Sequence, residues 1–201
     1  MFYKIVYSVV RIIFAVIYPT RFAGRENMPE GAALVCANHT DNLDAIFAAF
    51  SMGVLANPAY LGKKELFSNK FAAGVFTRLG IIPIERGSAD VAAIKKCFGA
   101  LKSGRKLVIF PEGTRHADGE ISDAKSGAGM FALRTGVPVV PVYIPSKKRM
   151  FRISTVIIGE PYTPANAGER GSEAYLAAAE EIMDKIRALK TVYEQKQLQG
   201  N

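Results

Sequence analysis

Short apolar runs alternate with stretches of helical periodicity through most of this chain, and no other feature restricts its possible folds as much. Ala32–Ala37, Ala59–Leu61, Ile81–Ile84, Lys106–Phe110, Val137–Ile144 and Phe151–Ile158 read as strands. Ala45–Ser51, Lys64–Leu79, Ser88–Lys102, Gly127–Arg134 and Ser172–Lys196 read as helices. Within Lys64–Leu79 the residues Phe67, Phe71, Val75 and Leu79 recur at four-residue steps. In the last helix Tyr175, Ala179, Ile182, Ile186, Leu189 and Tyr193 share one face. Ser88 stands where an N-cap belongs, and Ser103-Gly104 ends that helix. The alternation implies an α/β domain with a mostly parallel or mixed sheet flanked by helices. At 201 residues the chain fits one domain and is long enough to bury a core without staples.

The first eighteen residues stand apart. Between Phe2 and Tyr18 the polar residues are Lys4, Ser8 and Arg11, which fall on one stripe of a helix otherwise rich in Ile, Val, Phe and Tyr, with Pro19 as its stop. Such a helix is about 25 Å long, short of the roughly 30 Å hydrocarbon core of a bilayer, and a mid-helix arginine is costly at the bilayer centre. Arg11 also interrupts the apolar run of a signal peptide, and no Ala-x-Ala site follows. The expectation is an amphipathic helix over residues 1–18 lying in the membrane interface, ahead of a domain over 19–201. A helix packed on its own domain or on a partner, and a short spanning helix, are the alternatives.

The charge balance favours an anionic partner. Twenty-six Lys and Arg against 18 Asp and Glu give +8, which attracts nucleic acid, anionic membrane or phosphorylated substrates. The aromatic residues are mostly Phe among aliphatics. No basic stretch is interleaved with Tyr and Phe as in a single-strand binder, so lipid is favoured and no nucleic acid is expected. Cys36 and Cys97 both sit among apolar neighbours. They exclude a disulfide scaffold and read as reduced, buried thiols in a cytosolic compartment. Metal chemistry lacks a His-Glu-x-x-His or paired Cys-x-x-Cys motif. There is no Gly-x-Ser-x-Gly elbow and no Walker loop, and Gly127-x-Gly129 lacks the third glycine of a dinucleotide fingerprint.

Four blocks carry the remaining chemistry. In Asn38-His39-Thr40-Asp41-Asn42-Leu43-Asp44, a histidine follows an apolar strand, where ligands of open α/β sheets gather. Five residues along a regular helix turn about 140°, which would part His39 from Asp44. With His39 in the turn and Asp44 in the first helical turn, the carboxylate can fold back on the imidazole. His39 would then be a general base and Asp44 its orienting group. On spacing alone, a loop histidine beside an N-capping Asp41 or Asp44 is an equal reading. In Ile82-Pro83-Ile84-Glu85-Arg86, the arginine can fork onto a phosphate or simply pair with Glu85 at the surface, the second being favoured if the block stood alone. In Phe110-Pro111-Glu112-Gly113-Thr114-Arg115, Gly113 frees the backbone and Arg115 offers another phosphate fork. In Val137-Pro138-Val139-Val140-Pro141-Val142, two prolines suit an edge strand or a bulge rather than a central ladder position.

Taken in this order, the blocks resemble the glycerolipid acyltransferase family, and within it the lysophosphatidic acid acyltransferase branch. Gly24-Arg25-Glu26-Asn27-Met28-Pro29 and Lys63-Lys64-Glu65-Leu66-Phe67 match as connecting stretches, so the likeness covers roughly residues 20–145. His116 replaces the serine that usually follows the third block and is expected to be an exposed loop residue. The later lysine survives in Lys125-Ser126-Gly127.

The resemblance implies acyl transfer from acyl-CoA or acyl-acyl-carrier protein to the free hydroxyl of 1-acylglycerol-3-phosphate, giving phosphatidic acid. His39 and Asp44 would be catalytic. Arg86 and Arg115 would grip the acceptor phosphate, with Glu112, Gly113 and Thr114 around that pocket and Pro141 supporting the acyl or thioester side. No metal or redox cofactor is implied. The partners would be lysophosphatidic acid, the acyl donor and a phospholipid surface at the cytoplasmic face of the cell membrane. Lys4, Arg11, Lys63, Lys64, Lys147, Lys148 and Arg149 are the basic residues available to anionic lipid. Another lysophospholipid or an ornithine lipid as acceptor, and a non-catalytic lipid-binding protein on the same scaffold, stay open at this point.

Overall fold

A computed structural model describes residues 1–85, 90–116 and 119–199. Its elements are α1 (Phe2–Ile17), β1 (Thr20–Ala23), β2 (Leu34–Ala37), α2 (Asp44–Met52), β3 (Ala59–Lys63), α3 (Lys70–Arg78), β4 (Ile81–Ile84), α4 (Val91–Lys102), β5 (Leu107–Ile109), α5 (Gly127–Thr135), β6 (Val139–Tyr143), β7 (Ser154–Ile158) and α6 (Ser172–Gln199). The strands form one mixed sheet in the order β1-β7-β6-β2-β5-β3-β4. All neighbouring pairs are parallel except β6 with β7. The strand that precedes His39 is therefore central, with β5 on one side and β6 on the other.

The period of two in β2 divides the core. Leu34 and Cys36 join a cluster with Cys97 and Leu101 of α4, Phe131 of α5, and Ile182, Met183 and Ile186 of α6. Val35 and Ala37 join Phe47 and Phe50 of α2, with Tyr7, Val10 and Phe14 of α1 packed against them. Burying a side chain such as Phe47 or Phe50 contributes about 1.5–3 kcal/mol. On the other face α5 and α6 meet closely: a Cβ at Gly129 would lie 1.9 Å from the Tyr175 carbonyl oxygen, so only glycine fits there. Both cysteines are buried, and burial pushes the Cys97 thiol up to about 12.

Several elements depart from the sequence reading. The expected Lys64–Leu79 helix splits into a short 3-10 turn, Lys64–Phe67, and α3. Asn69 Oδ1 accepts the Phe71 and Ala72 N–H groups and restarts the helix. Helix α4 opens at Asp90, whose carboxylate accepts the Ala93 N–H, and not at Ser88, which lies outside the described residues. Strand β1 was not legible. It is four residues long and exists through pairing with β7, far away in sequence.

The two prolines, Pro138 just before β6 and Pro141 within it, do not place the strand at an edge, because β7 and β2 flank it on both sides. Val139 exchanges both backbone hydrogen bonds with Tyr162, and Pro141 O accepts the Gly159 N–H, so Pro141 turns the position of its missing donor toward this neighbour. Val142 pairs with Ile158 while Val139 bridges Tyr162, one residue more than a regular register allows. The absent N–H falls at that slip, where a bulge interrupts the ladder.

Candidate active site

The site is built at the carboxyl ends of the three central strands. Asn38 leaves β2 and clasps the end of β6: its Nδ2 donates to Ile144 O and its Oδ1 accepts the Ile144 N–H, each at 2.8 Å. This two-point tie holds the following turn, and His39 Nδ1 comes to 3.1 Å from Asp44 Oδ2. The carboxylate folds back because the turn's own N–H groups pull it: Asp44 Oδ2 accepts from the backbone of Thr40 and Asp41. Asp41 Oδ1 in turn accepts the Leu43 N–H. Neither aspartate N-caps α2; Leu43 holds that position without a side-chain bond.

Asp44 is fully buried and has a second charged partner. Lys148 Nζ lies 2.7 Å from Asp44 Oδ1 and 3.0 Å from Asp41 Oδ2, and donates to Thr40 Oγ1 at 3.0 Å. Burial by itself would raise the Asp44 pKa. The His39 hydrogen bond, the Lys148 ammonium and the Asp41 N–H outweigh it and hold the carboxyl below the ordinary range. Lys148 keeps only 2% of its side chain exposed, so it is not one of the lipid-facing cations that the basic run Lys147-Lys148-Arg149 suggested. Nothing in that run distinguishes the one lysine that turns inward.

The loop after β5 closes over His39. Phe110 stacks on the imidazole with ring centroids 4.0 Å apart and planes 16° from parallel. Glu112, also buried, accepts the His39 N–H through Oε2 at 3.2 Å. Gly113 takes a left-handed conformation, φ +69°, and its N–H closes a turn onto Phe110 O. A Cβ there would meet the Lys125 side chain at 2.8 Å, so the glycine leaves room for that lysine to lie across the turn.

His116 is half-buried rather than exposed: its N–H donates to His39 O at 2.9 Å, and its Nε2 is 3.1 Å from Thr114 Oγ1. Arg115 stands exposed on the same loop. Pro141 is one strand over, in register with Cys36, and acts inside the sheet. Arg86 lies outside the described residues. Its neighbour Glu85 pairs with Lys64 at 3.4 Å across exposed surface. An open groove of about 580 Å³ runs along Lys64, Phe67, Pro83, Ala93 and Lys96, at the β4 edge, and His39 is not among its lining residues. Among the described residues, no group of three or more His, Cys, Asp or Glu side chains is placed to hold a metal ion.

Residues 19–145, which contain all four sequence blocks, match the family model of the acyltransferases. The chain belongs to the acyltransferase family. This acyltransferase is 29% identical over 201 residues to a 1-acyl-sn-glycerol-3-phosphate acyltransferase of Bacillus subtilis, covering 96% of this chain and 99% of the relative. It is 33% identical over 129 residues to a chloroplast enzyme of the same name from Brassica napus, covering 62% of this chain but only 37% of the plant protein. The chain thus spans little more than a third of the plant relative's length. The crystal structure of the 1-acyl-sn-glycerophosphate (LPA) acyltransferase PlsC from Thermotoga maritima superposes with a TM-score of 0.69 at 27% identity, covering 93% of this chain and 79% of that one. Lys148 lies just beyond the family match, as does most of the loop that carries it.

Proposed function

We propose that this acyltransferase moves a fatty acyl group from acyl-CoA or acyl-acyl-carrier protein to the free hydroxyl of 1-acylglycerol-3-phosphate, giving phosphatidic acid. The observation that carries the reading is the buried His39–Asp44 contact at the end of the central strand, closed over by the Phe110–Arg115 loop. The relatives' names supply the acceptor. With Nδ1 turned to Asp44, the Nε2 edge of the imidazole is left for substrate. His39 Nε2 takes the acceptor hydroxyl proton as that oxygen attacks the thioester carbonyl carbon. The tetrahedral oxyanion then collapses, the carbon–sulfur bond breaks, and the departing thiolate receives the proton from His39. Asp44 fixes the tautomer and stabilises the imidazolium. No protein nucleophile and no metal or redox cofactor takes part.

Arg86 and Arg115 grip the acceptor phosphate as charge-assisted forks, with Glu112, Gly113 and Thr114 shaping the loop beneath it. Pro141 supports the acyl or thioester side from within β6. Residues 1–18 act as the anchor: Ile5, Val9, Ile12, Ile13 and Val16 form an exposed apolar face that lies in the bilayer interface on its cytoplasmic side. No helix among the described residues is long and apolar enough to cross a membrane.

Purified protein, a labelled acyl donor and a panel of lysophospholipids test the reaction. Phosphatidic acid is the expected product from 1-acylglycerol-3-phosphate, and His39→Ala should lower turnover by about 10²–10⁴-fold with the fold intact. Product from other acceptors alone reassigns the substrate. A His39→Ala rate above about a tenth of wild type removes the base.

A further inference from the structure

The β6–β7 connection carries an apolar cluster that neither the core nor the proposed chemistry uses. Met150, Phe151 and Ile153 are 53%, 69% and 60% exposed. They sit among basic residues in Lys147-Lys148-Arg149-Met150-Phe151-Arg152-Ile153. Phe151 has φ +58°, a left-handed conformation that is costly for a bulky aromatic residue and is kept here with its ring in the open.

The loop is fastened at three points. Phe151 N–H donates to Ile17 O at the end of α1, and Ser154 N–H donates to Pro19 O. On its other side Lys148 Nζ grips Asp44 and Asp41. The exposed cluster is therefore held between the last turn of α1, beside the exposed Val16, and the candidate catalytic pair.

We propose that Met150, Phe151 and Ile153 form a second bilayer-inserting element, an anionic phospholipid surface being the occupant. The proposal rests on the reading above in which α1 lies in the interface. Three features favour lipid. The patch is tied to the last turn of α1, where the Phe151 N–H donates to Ile17 O. Arg149 and Arg152, both exposed, stand beside the apolar residues at the height of headgroup phosphates. The chain's net charge is +8. Insertion of this loop sets the distance between the bilayer and His39, because Lys148 ties the inserted residues to the site through a few bonds. A helix anchor alone would leave the domain free to roll about the helix axis; a second contact removes that freedom.

The chain contains no tryptophan, so one introduced residue reports its own surroundings. Full-length Phe151→Trp, Val16→Trp and Leu55→Trp proteins are mixed with vesicles of phosphatidylcholine and phosphatidylglycerol in equal amounts, carrying brominated acyl chains. Leu55 is exposed on the loop that leads into the opposite, amino end of β3. The expected result is blue-shifted, bromine-quenched emission from the residue-151 and residue-16 probes and unchanged emission from the residue-55 probe. Quenching at 16 without quenching at 151 overturns the loop proposal and leaves the α1 anchor standing. Quenching at 151 alone supports the loop and removes α1. No quenching at either overturns both. A concentration-dependent blue shift at 151 before vesicles are added assigns the patch to a second copy of the chain and overturns the lipid reading. As a second measurement, Phe151→Ser combined with Ile153→Ser should weaken vesicle binding about tenfold or more at unchanged melting temperature. Unchanged binding overturns the proposal.

Discussion

Asp44 shows how a residue's role depends on who reaches it. Its carboxyl is held below the ordinary pKa, so its contribution to stability is complete above the unfolded value of about 3.9 and is lost as pH falls through the lower folded one. Melting temperature measured from neutral to strongly acid pH should therefore drop below about pH 4, and Asp44→Asn should flatten that part of the curve. Lys148→Met leaves a buried carboxylate without its cation. It should cost about 3–5 kcal/mol in denaturant unfolding at neutral pH and move the acid-side loss of stability to higher pH. Arg115 is exposed, and if the proposed phosphate grip holds, charge-assisted hydrogen bonds of about 1.5–3 kcal/mol each are at stake. Arg86→Ala and Arg115→Ala should each weaken kcat/KM for the phosphate-bearing acceptor at least tenfold while the donor KM stays near wild type. Acceptor-side kinetics unchanged in both variants would take them out of the site.

At the scale of elements, α1 has two apolar faces with different work. Tyr3, Tyr7, Val10 and Phe14 turn to the domain, where Phe14 meets Phe47 and Phe50 edge-on. Ile5, Val9, Ile12 and Val16 turn away. Arg11, counted from the sequence among the basic residues available to anionic lipid, is half-buried with its guanidinium over the rings of Phe22 and Phe50. Deleting residues 1–18 should therefore lower the melting temperature as well as release the protein from membranes, since it uncovers the α2 side of the core. Replacing Ile5, Val9, Ile12 and Val16 with serine separates the two effects: flotation with vesicles should fall sharply while thermal unfolding stays near wild type. Full retention on vesicles after that replacement would show that the outer face is not the anchor.

The whole molecule adds a long-range field to these contacts. A net charge of +8 should speed encounter with anionic vesicles and make the association rate fall steeply with salt. Retention follows a different law, because buried apolar side chains are not screened. Flotation in about 1 M salt should keep a substantial share of the full-length protein on the vesicles. Complete release would mean that attachment is electrostatic alone.

Periodicity and short-range spacing are local properties, and they made the α/β class, most of the elements and the blocks at the strand ends legible in the chain itself. His39 and Asp44 are close enough in sequence that a turn leading into a helix can join them, so their pairing was foreseeable as one of two readings. Contacts closed over long loops were not, because no local pattern encodes them. The pairing of β1 with β7, the clasp between Asn38 and Ile144, and the inward turn of Lys148 onto Asp44 each join residues more than a hundred positions apart. The register slip that accommodates Pro141 and the second apolar face of α1 likewise depend on what packs alongside. Local sequence determined the parts; only the tertiary structure decided which lysine of the Lys147-Lys148-Arg149 run turned inward, where the fold brings two carboxylates to meet its charge.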